Sequence, residues 1–318
     1  MLGIRKVSII GAGHVGESAA FIMAMKGIAD EVVMTDIIEN FPEGKALDMM
    51  QAGPILGYDT KIIGSSKGDV YESIKGSDVV IMTAGFPRKP GMSRDDLLGK
   101  NIPIMKMVAE SVKKYAPDCI FVILANPLDA MIYAAKKVTG FPDNRLVGQA
   151  GALDSARFMA FLAMEKKVSV KDVWAMTLGS HGDDMVPLRD YSSIYGVPVT
   201  KSVDKDALEG IIERTKGGGG EIVKLLGTSA YWAPAAGVSW MTESILRDQK
   251  AVIPCHAFLH GEYGINDLPV GVPVKLGKDG VEEIIEFELS TEEKALLKVS
   301  ADHVKEVCDR VDELGLLK

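Results

Sequence analysis

Only three cysteines, Cys119, Cys255 and Cys308, occur in 318 residues, and their spacing is not that of metal ligands. A disulfide scaffold and a cysteine metal centre are therefore excluded. The pattern reads as three reduced, buried thiols of a chain suited to the cytoplasm. Excess positive charge is also missing. The formal net charge is −8, so nothing favours non-specific attachment to nucleic acid. No block of like charges makes a tail. No apolar run suits a membrane span, because the longest candidate, 119–135, carries Asn126, Pro127 and Asp129 and breaks into a strand and a helix. A strand begins almost at once, with no signal peptide before it. Internal repeats, low-complexity stretches and Pro/Ser-rich linkers are absent as well. What the chain has is apolar substance, 47 % of its residues, enough for the cores of two ordinary domains.

Residues 4–10 form a short β-branched run, followed by Gly11-Ala12-Gly13-His14-Val15-Gly16 and an apolar helix rich in alanine. Gly11 permits a tight turn, Gly13 admits a close ligand and Gly16 brings helix and strand together. The helix N-terminus presents unpaired N–H groups and the positive end of its dipole to a pyrophosphate. A second buried strand ends at Asp36, twenty positions after Gly16. Its carboxylate can accept both ribose hydroxyls and repels a 2′-phosphate, so the cofactor expected is NAD rather than NADP. Further strands at 61–64, 78–83, 119–124 and 145–149 alternate with helices, predicting a doubly wound parallel sheet over residues 1–149. Ligand should lie across the carboxyl ends of its strands, where Thr83, Ala84, Gly85, Leu124 and Asn126 fall.

The loop 85–97 contains two prolines and two glycines and carries Arg88 and Arg94. It is either a solvated basic loop or a lid that brings cations onto an anionic substrate. The helix 150–166 holds Asp154 and Arg157, three residues apart. They either pair with each other or take separate partners, Asp154 the ring of His181 and Arg157 a substrate carboxylate. His181 follows an apolar run, 173–178, that reads as one strand, and it lies between Gly179 and Gly182. A histidine in a surface turn is the plain alternative to a proton-moving one. Residues 150–318 otherwise read as a mixed α+β domain. It has strand pieces at 186–200, helices at 206–216 and 232–247, an antiparallel meander at 250–287 and a helix capped at Ser290 and Glu293. The glycine run 217–220 reads as a kink or a flexible join without a chemical role. His256, His260 and His303 show no partner pattern.

Five motifs occur in fixed order: GAGHVG with Asp36, RKPGMSRDDL (88–97), ANP (125–127), LDSAR (153–157) and LGSHGD (178–183). Together they resemble the lactate/malate dehydrogenase family along essentially the whole chain. Within it the chain is most similar to the malate dehydrogenases of lactate-dehydrogenase-like type. The resemblance implies a Rossmann domain followed by a substrate domain, and reversible hydride transfer between malate and NAD. It makes His181 the acid–base group, Asp154 its orienting carboxylate and Arg157 the anchor of the C1 carboxylate. Arg94 becomes the lid arginine that polarises the carbonyl, Asn126 a contact to the reacting oxygen, and Arg88 the selector of substrate. Asn101 joins Leu124 among the cofactor contacts. No metal is implied. The partner is a small dicarboxylate, and a homotetramer or dimer is expected. Malate and oxaloacetate are dianions, so Arg157 and Arg88 can take one carboxylate each. A monoanion would leave Arg88 desolvated and unpaired, which is costly. The alternatives are a lactate or other 2-hydroxyacid dehydrogenase, an NAD-sensing protein without turnover, and an NAD-using glycosidase. The last is disfavoured by chain length and by its missing metal-ligand pattern.

Overall fold

The computed structural model describes residues 4–86 and 93–317, together with the backbone but not the side chain of Arg94. The first half runs β1 (Lys6–Ile10), α1 (His14–Met25), β2 (Glu31–Thr35), α2 (Phe41–Leu56), β3 (Lys61–Ser65), β4 (Val79–Met82), α3 (Arg94–Tyr115), β5 (Ile120–Ile123), α4 (Leu128–Thr139) and β6 (Leu146–Gly148). The six strands lie parallel in the order β3-β2-β1-β4-β5-β6. Strands β4 and β5 are buried throughout, as the continuous apolar runs require of a sheet covered on both faces. Helix α1 covers the sheet with small residues, burying Gly16, Ser18, Ala19, Ala20, Met23 and Ala24.

The second half begins with α5 (Gly151–Lys166) and four short strands, β7 (Val173–Trp174), β8 (Thr177–Leu178), β9 (Val186–Pro187) and β10 (Ser193–Ile194). It continues through β11 (Val197–Pro198), α6 (Val199–Ser202), α7 (Lys205–Leu226) and α8 (Trp232–Leu246). Strands β12 (Ala251–His260), β13 (Asn266–Gly277) and β14 (Gly280–Ile284) precede α9 (Thr291–Leu314). The expected strand 173–178 is two strands. Strand β7 pairs with β10 in one small sheet and β8 with β9 in another, so the run changes partners at its middle. The meander is antiparallel as expected, yet it is no separate sheet. Strand β12 pairs with β6 at a single position, His256 with Gly148, extending the parallel sheet to nine strands.

The glycine run neither kinks nor interrupts α7, which continues to a left-handed cap at Gly227. Each interior glycine costs about 1 kcal/mol relative to alanine. Burial of Leu208, Ile211, Ile212 and Thr215 on the other turns keeps the helix in place. Helix α9 opens on the expected capping box, with Ser290 and Glu293 satisfying each other's backbone N–H groups. Among the described residues, no helix is long and apolar enough to cross a membrane.

Candidate active site

The turn after β1 lies where the strand order reverses, between β1 and β4, the crevice that binds ligands in open α/β sheets. Gly11 has φ +104°, and a Cβ there would meet Ala84 N and Thr83 Oγ1 at 2.7 Å. At Gly16 a Cβ would sit 2.0 Å from Gly11 O. Gly13, by contrast, has no neighbour within 4 Å, so its backbone faces open space that a pyrophosphate can approach. Thr83 Oγ1 donates to Gly11 O at 2.9 Å. Asp36 accepts from Ala12 N at 2.8 Å and from Ile38 N at 3.0 Å, which aims its carboxylate along the turn. Lys45 of α2 donates to Ala12 O at 2.7 Å and pairs with Glu17. Sequence reasoning missed Lys45, since nothing local distinguishes it from other helix-surface lysines. His14 opens α1 and is exposed, hydrogen-bonded to Glu17 at 3.0 Å. Val15 and Leu124 are half-buried against the core.

Asn101 is buried, and its amide is committed to protein groups. Its Oδ1 accepts from Phe86 N at 2.8 Å, while Nδ2 donates to Phe86 O at 3.1 Å and to Asn126 O at 2.7 Å. It thus ties the start of the 85–97 loop to the exposed Asn126, with Gly85 packed against its side chain. Arg88 lies outside the described residues, as does the side chain of Arg94. The backbone of Arg94 is the first residue of α3, just after the N-cap Ser93.

Asp154 of α5 is only 2 % exposed and has two partners at once. Its Oδ1 accepts from Arg157 Nη1 at 3.0 Å, and its Oδ2 lies 2.9 Å from His181 Nδ1. The pairing of Asp154 with Arg157 and its contact with the His181 ring, which the sequence offered as alternatives, therefore occur together, because a carboxylate has two oxygens. Bonding to an ionised Asp154 favours the proton on Nδ1 and leaves Nε2 outside that bond. The negative charge of Asp154, helped by that hydrogen bond and by Asp129, raises the His181 pKa, while burial and Arg157 oppose the rise.

The histidine's register follows from contacts made on each side of it. Ser155 Oγ accepts from Thr177 N at 2.9 Å, which fixes β8 against α5. Gly179, at φ +88°, exchanges two backbone hydrogen bonds with Gly271, of 2.8 and 3.1 Å. The Ser300 hydroxyl accepts from Ser180 N at 2.7 Å, and His303 pairs with Asp184. Both come from α9, over a hundred residues downstream, and no local signal in the sequence marks them. His256 and His260 also have carboxylate partners, Asp129 and Asp143.

The glycine run belongs to this site. A Cβ at Gly218 would stand 3.1 Å from Arg157 Cδ, and one at Gly219 would stand 3.6 Å from Nη2. The Arg157 side chain therefore passes close to the bare backbone of Gly218 and Gly219. Its Nε is buried with no hydrogen-bond partner among the described residues, so Arg157 retains donor capacity beyond its bond to Asp154. Gly217 and Gly220 have no neighbour within 4 Å.

A doubly wound sheet with a dinucleotide turn, together with a histidine held by a buried carboxylate, defines a nicotinamide-dependent oxidoreductase. The lactate/malate dehydrogenase NAD-binding domain matches residues 5–148. The alpha/beta C-terminal domain of the same family matches residues 151–314. A malate dehydrogenase of Thermomicrobium roseum is 53 % identical over 310 residues, covering 98 % of this chain and 99 % of that one. The structure of malate dehydrogenase from Salinibacter ruber aligns with TM-score 0.93 at 50 % identity, covering 97 % of this chain and 98 % of that one. The lactate dehydrogenase of Cryptosporidium parvum, complexed with lactic acid and nicotinamide adenine dinucleotide, gives TM-score 0.93 at 40 % identity, covering 98 % and 99 %. The chain belongs to the lactate/malate dehydrogenase family, and its cofactor is NAD.

Proposed function

We propose that the protein is a malate dehydrogenase, interconverting malate and oxaloacetate, with His181 as its acid–base group. The observation that carries this reading is the sharing of Asp154 by His181 and Arg157. One buried carboxylate fixes both the group that moves the proton and the group that anchors the substrate. Bound NAD supplies the hydride acceptor, and NADH the donor. In the oxidative direction neutral His181 takes the hydroxyl proton at Nε2, and Asp154 stabilises the resulting imidazolium. In the reductive direction the imidazolium returns that proton to the carbonyl oxygen. Arg157 pairs with the C1 carboxylate through its remaining donors. Asn126, held at the rim by Asn101, contacts the reacting oxygen. Arg94 stabilises the charge growing on that oxygen, and Arg88 meets the second carboxylate. Asp36 selects NAD over its 2′-phosphorylated form, and Gly11 to Gly16, Thr83 to Gly85, Asn101 and Leu124 complete the cofactor site.

Lactate and malate dehydrogenases share this fold, so the choice between them rests on Arg88 and on relatives above 50 % identity that carry the malate name. The test is steady-state reduction of oxaloacetate and of pyruvate with NADH. Oxaloacetate should be strongly preferred. Arg88→Gln should cut efficiency on oxaloacetate by roughly thirtyfold to a few thousandfold, since it strands a buried carboxylate, and raise it on pyruvate. Equal losses on both substrates would overturn the assignment of Arg88.

A tricarboxylic acid cycle role in the cytoplasm accords with this chemistry and with three buried free cysteines. The functional division falls between residues 149 and 150. A homotetramer, or a dimer, is supported by exposed apolar side chains such as Leu47 and Ile55 on α2 and Leu225 and Leu226 on α7.

A further inference from the structure

The parallel and antiparallel parts of the large sheet meet at one residue. His256 pairs through its backbone with Gly148 on one side and Gly271 on the other. Its ring is 1 % exposed, and Nε2 lies 3.0 Å from Oδ1 of Asp129 in the first turn of α4. The approach lacks the alignment of a hydrogen bond, and neither ring nitrogen has such a partner among the described residues. An ion pair with a protonated ring would need closeness rather than alignment, and a buried carboxylate requires a compensating partner. Room for the ring comes from two glycines. A Cβ at Gly148 would stand 2.8 Å from His256 Cβ, and one at Gly271 would stand 3.1 Å from His256 Cε1. Gly271 in turn exchanges both its backbone hydrogen bonds with Gly179, two residues before His181.

We propose that Asp129 and His256 form a second histidine–carboxylate pair, which positions the His181 loop against the Asn126 side of the cleft and acts electrostatically on His181. The proposal rests on the reading of His181 as the acid–base group. Asp129 stands three residues after Asn126, so the pair links the rim that contacts the reacting oxygen to the strand pair that holds the histidine loop. Among the described residues, the charged groups that face His181 are Asp154 and Arg157 from α5 and Asp129 from α4. Its own loop carries Asp183 and Asp184, the latter paired with His303 of α9. The Cys308 thiol of α9, within the field of Asp129, is pushed up by burial and stays neutral. Asp129 adds to the hold of Asp154 on the His181 proton, and His256 offsets that addition. Removing either partner should therefore move His181 in opposite directions.

The experiment is the pH dependence of kcat/KM for oxaloacetate reduction in the full-length protein. It compares the unmodified enzyme with Asp129→Asn, His256→Gln, the double variant and His181→Asn. Reduction needs protonated His181, so activity falls on an alkaline limb. That limb should move to lower pH in Asp129→Asn, move to higher pH in His256→Gln, and return near its native position in the double variant. In the single variants kcat should fall roughly two- to thirtyfold, with the KM for NADH unchanged. His256→Asn and Asp129→Ser carry the same expected directions if a first-choice variant does not fold. A limb that stays fixed, or that moves the same way in both single variants, overturns the proposal. A limb that survives in His181→Asn instead overturns the acid–base reading itself. Loss of the limb there, with no movement in the other variants, removes only the role of the pair.

Discussion

Two glycine-rich stretches serve this enzyme in opposite ways. In the turn 11–16 the glycines are needed for the protein to meet itself, since Gly11 and Gly16 lie against backbone and only Gly13 faces open space. In the run 217–220 the conformation is ordinary helix that any residue can adopt. Of those four glycines only Gly218 is tight, because the Arg157 side chain lies against it. The same residue type is thus a backbone requirement in one place and a docking surface in the other. The difference can be read from where a Cβ would point, and not from composition.

The largest effect is expected at Gly16. Gly16→Ala drives a methyl group into Gly11 O, backbone that cannot rotate away, so NADH affinity should fall roughly a hundredfold or the fold should be lost. Cofactor fluorescence titration beside thermal unfolding distinguishes the two results. Gly13→Ala should keep the fold, having nothing to strike. It should nonetheless weaken NADH binding roughly tenfold or more, by filling the approach to the pyrophosphate. Normal NADH affinity in that variant would show that the cofactor lies elsewhere. In the second stretch, Gly218→Ala presses on Arg157 Cδ and should raise the KM for oxaloacetate roughly tenfold while leaving the dissociation constant of NADH unchanged. Smallest of all, Gly217→Ala should leave kinetics alone and stabilise α7 by up to about 1 kcal/mol, read as a higher midpoint in urea. If Gly217→Ala and Gly218→Ala behave alike, the run is a flexibility device and the contrast drawn here disappears.

The fold was legible wherever neighbouring residues decide it. The turn 11–16 with Asp36, the alternation of strand and helix, and the box at Ser290 and Glu293 are all local signals. The pairing of His181 with Asp154 was legible through motif order, although the residues stand 27 apart. Ser300, His303 and Lys45 were not legible, because serine, histidine and lysine on helices are ordinary and acquire roles only from what the tertiary fold sets beside them. The run 217–220 misled for a related reason. Helix propensity disfavours glycine, but packing of α7 on its neighbours outweighs that preference, and no local rule reports an arginine lying on the helix from another element. His256 carried no signal at all, since its partner Asp129 lies on a different element 127 positions earlier.

The joining of β12 to β6 at His256 and Gly148 sets an order of events during synthesis. Strand β6 is complete when residue 148 has been made, but its neighbour begins at residue 251. At about 5–20 residues per second the ribosome takes roughly 5–20 s to supply the intervening hundred residues. Through that interval the nascent sheet ends in an unpaired β6, an edge of the kind that recruits strands from other chains. That edge is only three residues long, too short to template a stable foreign strand. The shortness of β6 protects the half-made protein from its neighbours on the same message.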